Sequence, residues 1–385
     1  MKFRINSRVF KNHMERASVV SDKKSNIAML YNAEIIADKD AETVKIITQG
    51  LHSFAEIVIK DVDVDESGRV TAVTEDIKRL YNIPGILTIE SDNGKIRVHG
   101  QKKQGVIADT GLEMFEVSYS SDKEMFAFSA DKSDLLDTLA KLSVCVADND
   151  VKPTHRGYNI SDRFGYIRVS TVNSHTGAIR DTEWKFSPDT YITIPDFVNK
   201  ELKKVADNKS TEEISVYTDG RKARFAGEDF TYYVDLLQGE FIDLDKVMTF
   251  GNSETYSFHI EAEKLRAVAK EYEGLLIKGQ KLRYPMYFTF RDDALISAGI
   301  SETYGATDIL DINDTDNIPE DFLYCINSAL LNDILTIFGN DAVKIEGAGR
   351  IDPWIISGND GYKSVILPVR PTEDLGKIYA LINAA

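Results

Sequence analysis

Three times along the chain, about 125 to 130 residues apart, an alternating strand pattern led by phenylalanine runs into an amphipathic helix. Phe3 is followed by a helical face of Phe10, Met14 and Ala17. Phe128 is followed by Leu135, Leu139 and Leu142, and Phe258 by Leu265, Ala269 and Tyr272. In each copy the first apolar helix position lies seven residues after the phenylalanine, and the rest fall at i+4 and i+7. Period two followed by period 3.6 predicts a strand leading into a helix packed by one face. A second helical face recurs in register, as Val73, Ile77 and Tyr81, as Ile194, Val198 and Leu202, and as Ile326, Leu330 and Ile334. Each is followed by a predicted hairpin, with turns at Asp92-Asn93-Gly94, Asp219-Gly220 and Gly347-Ala348-Gly349. Asn-Gly and Asp-Gly suit such turns because their central positions need positive φ.

The pattern predicts an α+β fold of three repeated domains, 1–124, 125–252 and 253–371, each with helices on one face of antiparallel sheets. A tail, 372–385, follows. Leu375, Ile378, Tyr379 and Ile382 share a helical face there,.

Composition sharpens this. The chain of 385 residues carries a net charge of −16, which argues against a simple basic nucleic-acid binder,. The predicted helices at 7–20, 75–81, 131–146, 195–206, 261–273 and 327–338 are together neutral, so the excess acid lies on strands and loops. Outward positions on these helices include Arg8, Lys11, Lys78, Arg79, Lys200, Lys203, Lys204, Arg266 and Lys270. There is no apolar run long enough for a membrane span, and no leader pattern precedes the first strand. Cys145 and Cys325 lie in apolar contexts and read as reduced core residues, which makes a cytoplasmic location the expectation,.

No chemistry-bearing motif emerges. Asp61-Val62-Asp63-Val64-Asp65-Glu66-Ser67-Gly68 begins like a calcium loop, but Glu66 stands where the motif needs glycine and Ala72 where it needs glutamate,. It reads as an acidic hairpin between strands. The histidines lack metal-ligand spacing. Phosphate-binding glycine loops, nucleophile elbows and zinc-protease motifs are absent. The expectation is a protein with no catalytic, cofactor or metal site. The competing enzyme reading would place a site between repeats.

Several segments carry a family resemblance. Leu236-Leu237-Gln238-Gly239-Glu240-Phe241-Ile242-Asp243, Val365-Ile366-Leu367-Pro368-Val369-Arg370, Val172-Asn173-Ser174-His175-Thr176, and Gly157 after Lys152-Pro153 are, with the triple repeat, similar to the bacterial sliding-clamp family, the DNA polymerase III beta subunit. The resemblance covers roughly residues 1–371. It implies a non-enzymatic processivity factor: a head-to-tail homodimeric ring around duplex DNA, held without sequence preference. DNA polymerase and clamp-loader subunits would bind through short linear peptides.

By position, the family's peptide pocket between the second and third domains falls on Thr154, His155, Val172, Ser174, His175, Ile242, Val247, Asn327, Leu330, Val365, Leu367, Pro368, Val369 and Arg370. DNA-facing positions fall on the loop residues Lys23, Lys24 and Lys152, together with the helix cations. The dimer contact falls on Val106 and Ile107 of one edge and on Tyr272, Leu275, Leu276 and Ile277 of the other. The pocket departs from the family pattern: His155 replaces a usual leucine, Thr176 an arginine, Ile242 a proline and Leu330 a tyrosine. An altered peptide preference is therefore expected. The tail, beyond the usual family end, is either a competitor folded over the pocket, a helix docked on the third domain, or a frayed terminus. A clamp-fold scaffold of a mobile element or phage-like locus, with a private partner, is the alternative.

Overall fold

The computed structural model describes residues 1–112, 123–274, 285–300, 305–319, 322–371 and 375–384. The α-helices among them are α1 Ser7–Ala17, α2 Ala28–Tyr31, α3 Thr74–Leu80, α4 Lys132–Leu142, α5 Phe197–Val205, α6 Leu244–Val247, α7 Ala262–Gly274, α8 Ser328–Leu335 and α9 Leu375–Ala384. The six predicted helices all form, and three end in a turn of 3₁₀ helix. Asn6 shows why α1 begins where it does: its side-chain oxygen accepts a hydrogen bond from the Arg8 amide at 2.9 Å, satisfying one orphan donor of the first turn. The repeated face is the core. Phe10, Leu135 and Leu265, each seven residues after its phenylalanine, are all buried.

The chain divides into two compact units. The first comprises 1–137 and 184–237, the second 138–183 and 238–385. In the first unit a five-stranded antiparallel sheet runs in the order Asp63–Glu66, Lys2–Asn6, Ile86–Asp92, Lys95–His99, Gln104–Ala108. The turn at Asn93 and Gly94 has φ of 48° and 71°, as its Asn-Gly sequence predicts,. A nine-stranded sheet runs in the order Lys185–Phe186, Met125–Asp131, Glu213–Thr218, Lys222–Ala226, Phe230–Asp235, Ser53–Ile59, Thr43–Gln49, Asn32–Asp38, Gly68–Val73.

In the second unit one antiparallel series runs Gly157–Arg163, Tyr166–Val172, Thr176–Thr182, Tyr362–Ile366, Trp354–Ser357, Ala342–Gly347, Tyr256–Glu261, Asn313–Asp316. A four-stranded sheet runs Gly305–Asp311, Ala294–Ile300, Pro285–Arg291, Tyr324–Asn327. Its core is aromatic. Trp354 stacks on Tyr324 at 4.6 Å and donates its indole N–H to Tyr256 Oη at 2.7 Å, so its polar edge is satisfied inside an apolar cluster,.

Each repeat has an inner run of three strands and a terminal run of three. The last strand of the second repeat, Phe230–Asp235, pairs with the last inner strand of the first, Ser53–Ile59. The last strand of the third, Tyr362–Ile366, pairs in the same way with the last inner strand of the second, Thr176–Thr182. Among the described strands of these runs, two edges lack such a partner. The last strand of the first repeat, Gln104–Ala108, and the last inner strand of the third, Gly305–Asp311, each end a sheet.

Three sequence expectations change. Residues 61–68 are not a hairpin: Asp63–Glu66 pairs with Lys2–Asn6, while Gly68–Val73 joins the other sheet beside Asn32–Asp38. Arg4 draws the acidic strand in, contacting Asp63 at 2.9 Å and Asp65 at 3.3 Å. The third terminal hairpin is wider than its glycines suggest, because Gly347 belongs to a strand that pairs with Tyr256, and the return strand starts only at Trp354. The tail is helical but rotated. Ile378 and Ile382 are buried, whereas Leu375 and Tyr379 stay exposed.

Candidate functional site

Two segments distant in sequence make the floor of a cavity in the second unit. The turn between Tyr166–Val172 and Thr176–Thr182 is closed by Asn173, whose Oδ1 accepts from the amides of His175 at 2.9 Å and Thr176 at 2.8 Å. This Asx turn directs 173–177 toward α6. Asp243 caps α6, accepting from the Asp245 amide at 3.3 Å, and α6 supplies Leu244 and Val247. Val172, Ile179 and Leu244 form a small buried cluster with Phe241, Val247 and Met248 packed on it. At Gly177 an added Cβ would stand 3.1 Å from a Leu244 side-chain carbon, so a larger residue there would make the leucine shift by a few tenths of an ångström.

The resulting cavity has a volume of about 370 Å³, a size that suits a few side chains of a peptide or a small ligand. Of the residues predicted for it, His155, Val172, Ser174, His175, Ile242, Val247, Val365 and Leu367 line it. Ile242 and Leu367 are partly exposed apolar groups at its mouth. The remaining predicted residues stand behind or beside it. Thr154 is buried and donates to the Glu240 carbonyl at 3.2 Å, tying down the loop before Ile242. Asn327 is buried and caps α8, its Oδ1 accepting from the Leu330 amide at 3.0 Å. Leu330 is half-buried on α8, and Arg370 is exposed. Pro368 is half-buried, and Val369 turns away into another cluster. Asp150, Asn173, Gly177 and Leu244 also line the cavity. The Asx turn and the helix cap at Asp243 were the available signals for two of these.

The rim is polar on one side. His155 Nδ1 lies 3.1 Å from Asp150 Oδ2, and its ring meets Phe241 edge-on. The Lys152 amide, with His155 second, holds the Asp150 carboxyl below the usual carboxylate range. A leucine at 155 could make the ring contact but not the polar one. Beneath the turn, burial pushes the Cys145 thiol up to about 12, which keeps it a protonated core group,.

Arg168 holds α6 in place. It is almost fully buried, pairs with Asp181 through Nε at 2.6 Å and Nη2 at 2.9 Å, and donates from Nη1 to Asp245 of α6. Replacing Arg168 by alanine should cost about 2 kcal/mol of stability, the scale of charge-assisted hydrogen bonds. It should also weaken any ligand resting on Leu244 and Val247. Urea unfolding and a binding titration on the same variant would read the two effects.

The candidate DNA-facing cations are placed as follows. In the first unit Lys11 lies 3.9 Å from Glu15 and 5.9 Å from the Tyr81 ring centroid. Lys23 pairs with Glu75 at 2.5 Å, Lys78 reaches the same carboxylate at 3.1 Å, and Arg79 pairs with Asp76 at 2.9 Å. Lys24 is exposed in a turn. Lys200, Lys203 and Lys204 of α5 line a groove of about 520 Å³ with Lys132, Val19 and Leu136. In the second unit Lys152 and Lys270 are exposed, and Arg266 donates to Asn332 at 3.2 Å.

For the dimer contact, Val106 and Ile107 lie on the edge strand Gln104–Ala108, with Val106 52% exposed. Tyr272 is buried instead, its hydroxyl donating to Asp308 at 2.9 Å. Leu275, Leu276 and Ile277 lie outside the described residues. No group of metal-ligating side chains is assembled among the described residues, and none of their helices is long and apolar enough to cross a membrane.

No protein-family model and no curated protein matches the sequence. Solved structures do match. The DNA polymerase III beta subunit of Pseudomonas aeruginosa aligns with a TM-score of 0.86 at 16% identity, covering 96% of this chain and 100% of that one. The beta subunit from the DNA polymerase of Streptococcus pyogenes gives 0.84 at 16%, with the same coverage. The DNA polymerase sliding clamp of Bacillus subtilis gives 0.83 at 15%, covering 96% of this chain and 99% of that one. Matched over 96% of its length at these scores, this protein has the fold of the DNA polymerase III beta-subunit sliding clamps.

Proposed function

We infer that the chain is a sliding clamp without catalytic activity: a cytoplasmic head-to-tail dimer that encircles duplex DNA and tethers a polymerase, a clamp loader and other partners by short peptides. The observation that carries this reading is the pair of leftover edges. Each internal junction joins the last strand of one repeat to the last inner strand of the repeat before it. Among the described residues, Gln104–Ala108 and Gly305–Asp311 end their sheets without the partner strand that this pattern calls for. A second copy would supply both partners, and two copies would close. The domains would be the repeats 1–124, 125–252 and 253–371. Helices that are together neutral in an acidic chain suit a surface near DNA that holds it loosely,. The cavity lined by Val172, Leu244, Val247, Val365 and Leu367 suits the apolar anchors of a peptide,.

The test is a fluorescence-anisotropy titration with a Gln-x-x-Leu-Phe peptide and with the same peptide carrying alanine at Leu and Phe. The expected result is binding in the micromolar range, about −8 kcal/mol, lost on the double replacement. The His155–Asp150 pair favours a second reading within the same fold, a clamp scaffold serving a private partner. Ranking variant peptides decides between them: the common motif should lead for a general replication clamp and fall behind for a private one.

A further inference from the structure

We propose that the C-terminal helix α9 is a brace that fixes the C-terminal wall of the peptide cavity, so that Val369, Ile378 and Ile382 act as positioning residues for it. The proposal rests on the cavity being a peptide site and adds what keeps that site formed. The wall is the segment after Tyr362–Ile366. Leu367 lines the cavity, and its amide donates to the His175 carbonyl at 2.9 Å. Two residues on, the Val369 amide donates to the Cys325 carbonyl at 2.9 Å, on the neighbouring four-stranded sheet. The segment is thus pinned once to the cavity and once to that sheet.

The second pin is covered by α9. Val369 packs into a buried cluster with Tyr287, Ile296, Ala298, Ile378 and Ile382. Arg291 fastens the far end of the helix, its Nη2 donating to the Ile382 carbonyl at 3.1 Å and to Asn383 at 3.3 Å. No described residue that lines the cavity belongs to α9, so among the described residues the helix reaches it through the wall. That distinguishes a brace from a competitor. A competitor's removal would raise peptide affinity, whereas a brace's removal lowers it, because a loosened wall must be ordered at the moment of binding.

The test compares the intact chain with Ile382→Asp, which puts a charge into the buried cluster, and with a chain ending at residue 371. Hydrogen exchange of the Leu367 and Val369 amides is read without peptide, and affinity with the Gln-x-x-Leu-Phe peptide. Exchange at both amides about tenfold faster in both variants, with affinity about tenfold weaker, is the expected result. Unchanged exchange overturns the brace, as does a rise in affinity. Absence of peptide binding by the intact chain would instead sink the cavity reading, and the exchange data alone would then decide the brace.

Discussion

Replacing Arg16 by alanine should lower the unfolding free energy by about 3–5 kcal/mol, the cost of breaking a buried ion pair from one side. Arg16 is 1% exposed. Its two terminal nitrogens reach the two oxygens of Asp229 at 2.6 and 2.7 Å, and its Nε donates to the Val205 carbonyl at 2.9 Å. Asn208 donates to the same carboxylate. The arginine thus ties α1 of the first repeat to the end of α5 and to a loop of the second. Without it, Asp229 is left as a poorly compensated charge, and α5 loses an anchor for a last-turn carbonyl. Urea unfolding followed by circular dichroism would measure the loss. The double replacement Arg16→Met with Asp229→Leu should recover much of it, since it removes both desolvated charges. A loss below about 1 kcal/mol, the range of a surface pair, would show that water screens the site. His13, 3.8 Å from Asp229, adds a pH dependence. Burial, its largest influence, holds the imidazole below the usual histidine range. Folding therefore favours its neutral form, so its contribution is intact above the ordinary histidine value and is lost as pH falls through the lowered one,.

Placing an aspartate at Val106 or at Ile309 should weaken self-association about a hundredfold, roughly 3 kcal/mol, as expected for a charge buried in an apolar contact. Both residues sit on the leftover edge strands and are more than half exposed, Val106 at 52% and Ile309 at 59%. Isolated edges normally carry charges or bulges that discourage pairing, so exposed apolar groups on both edges suit a second chain. Sedimentation velocity over a concentration series reads the change, with Phe164→Asp, on a fully exposed turn, as a control that should leave association unaltered. An unsubstituted chain that stays monomeric throughout would end the closed-dimer reading.

The helices were legible because their apolar faces repeat in register and their starts follow strand patterns. The hairpin at Asn93-Gly94 was legible because its turn needs residues that tolerate positive φ. Strand partners across repeats were not. Alternation tells which face of Ser53–Ile59 is buried, but not that its neighbour is Phe230–Asp235,. The acidic stretch 61–68 misled for a related reason: strands adjacent in sequence usually pair, and these two part into different sheets. The eight predicted residues that line the cavity, like the rest of that set, came from family position, not from local pattern. Leu244 was missed because a four-residue helix shows no periodicity. Arg16 and Asp229 carry no sequence signal that pairs them.

The cross-repeat pairings also bear on synthesis. Ser53–Ile59 emerges early from the ribosome, but the strand that covers its edge, Phe230–Asp235, emerges only after most of the second repeat. Thr176–Thr182 then waits in the same way for Tyr362–Ile366. From Ile59 until Tyr362–Ile366 is made, the nascent chain therefore carries at least one uncovered edge, and between Thr182 and Phe230 it carries both. Such edges are the kind of surface on which unfinished chains stick to one another. Each edge is sealed only as the next repeat is completed, which ties the solubility of the growing chain to the pace of its elongation.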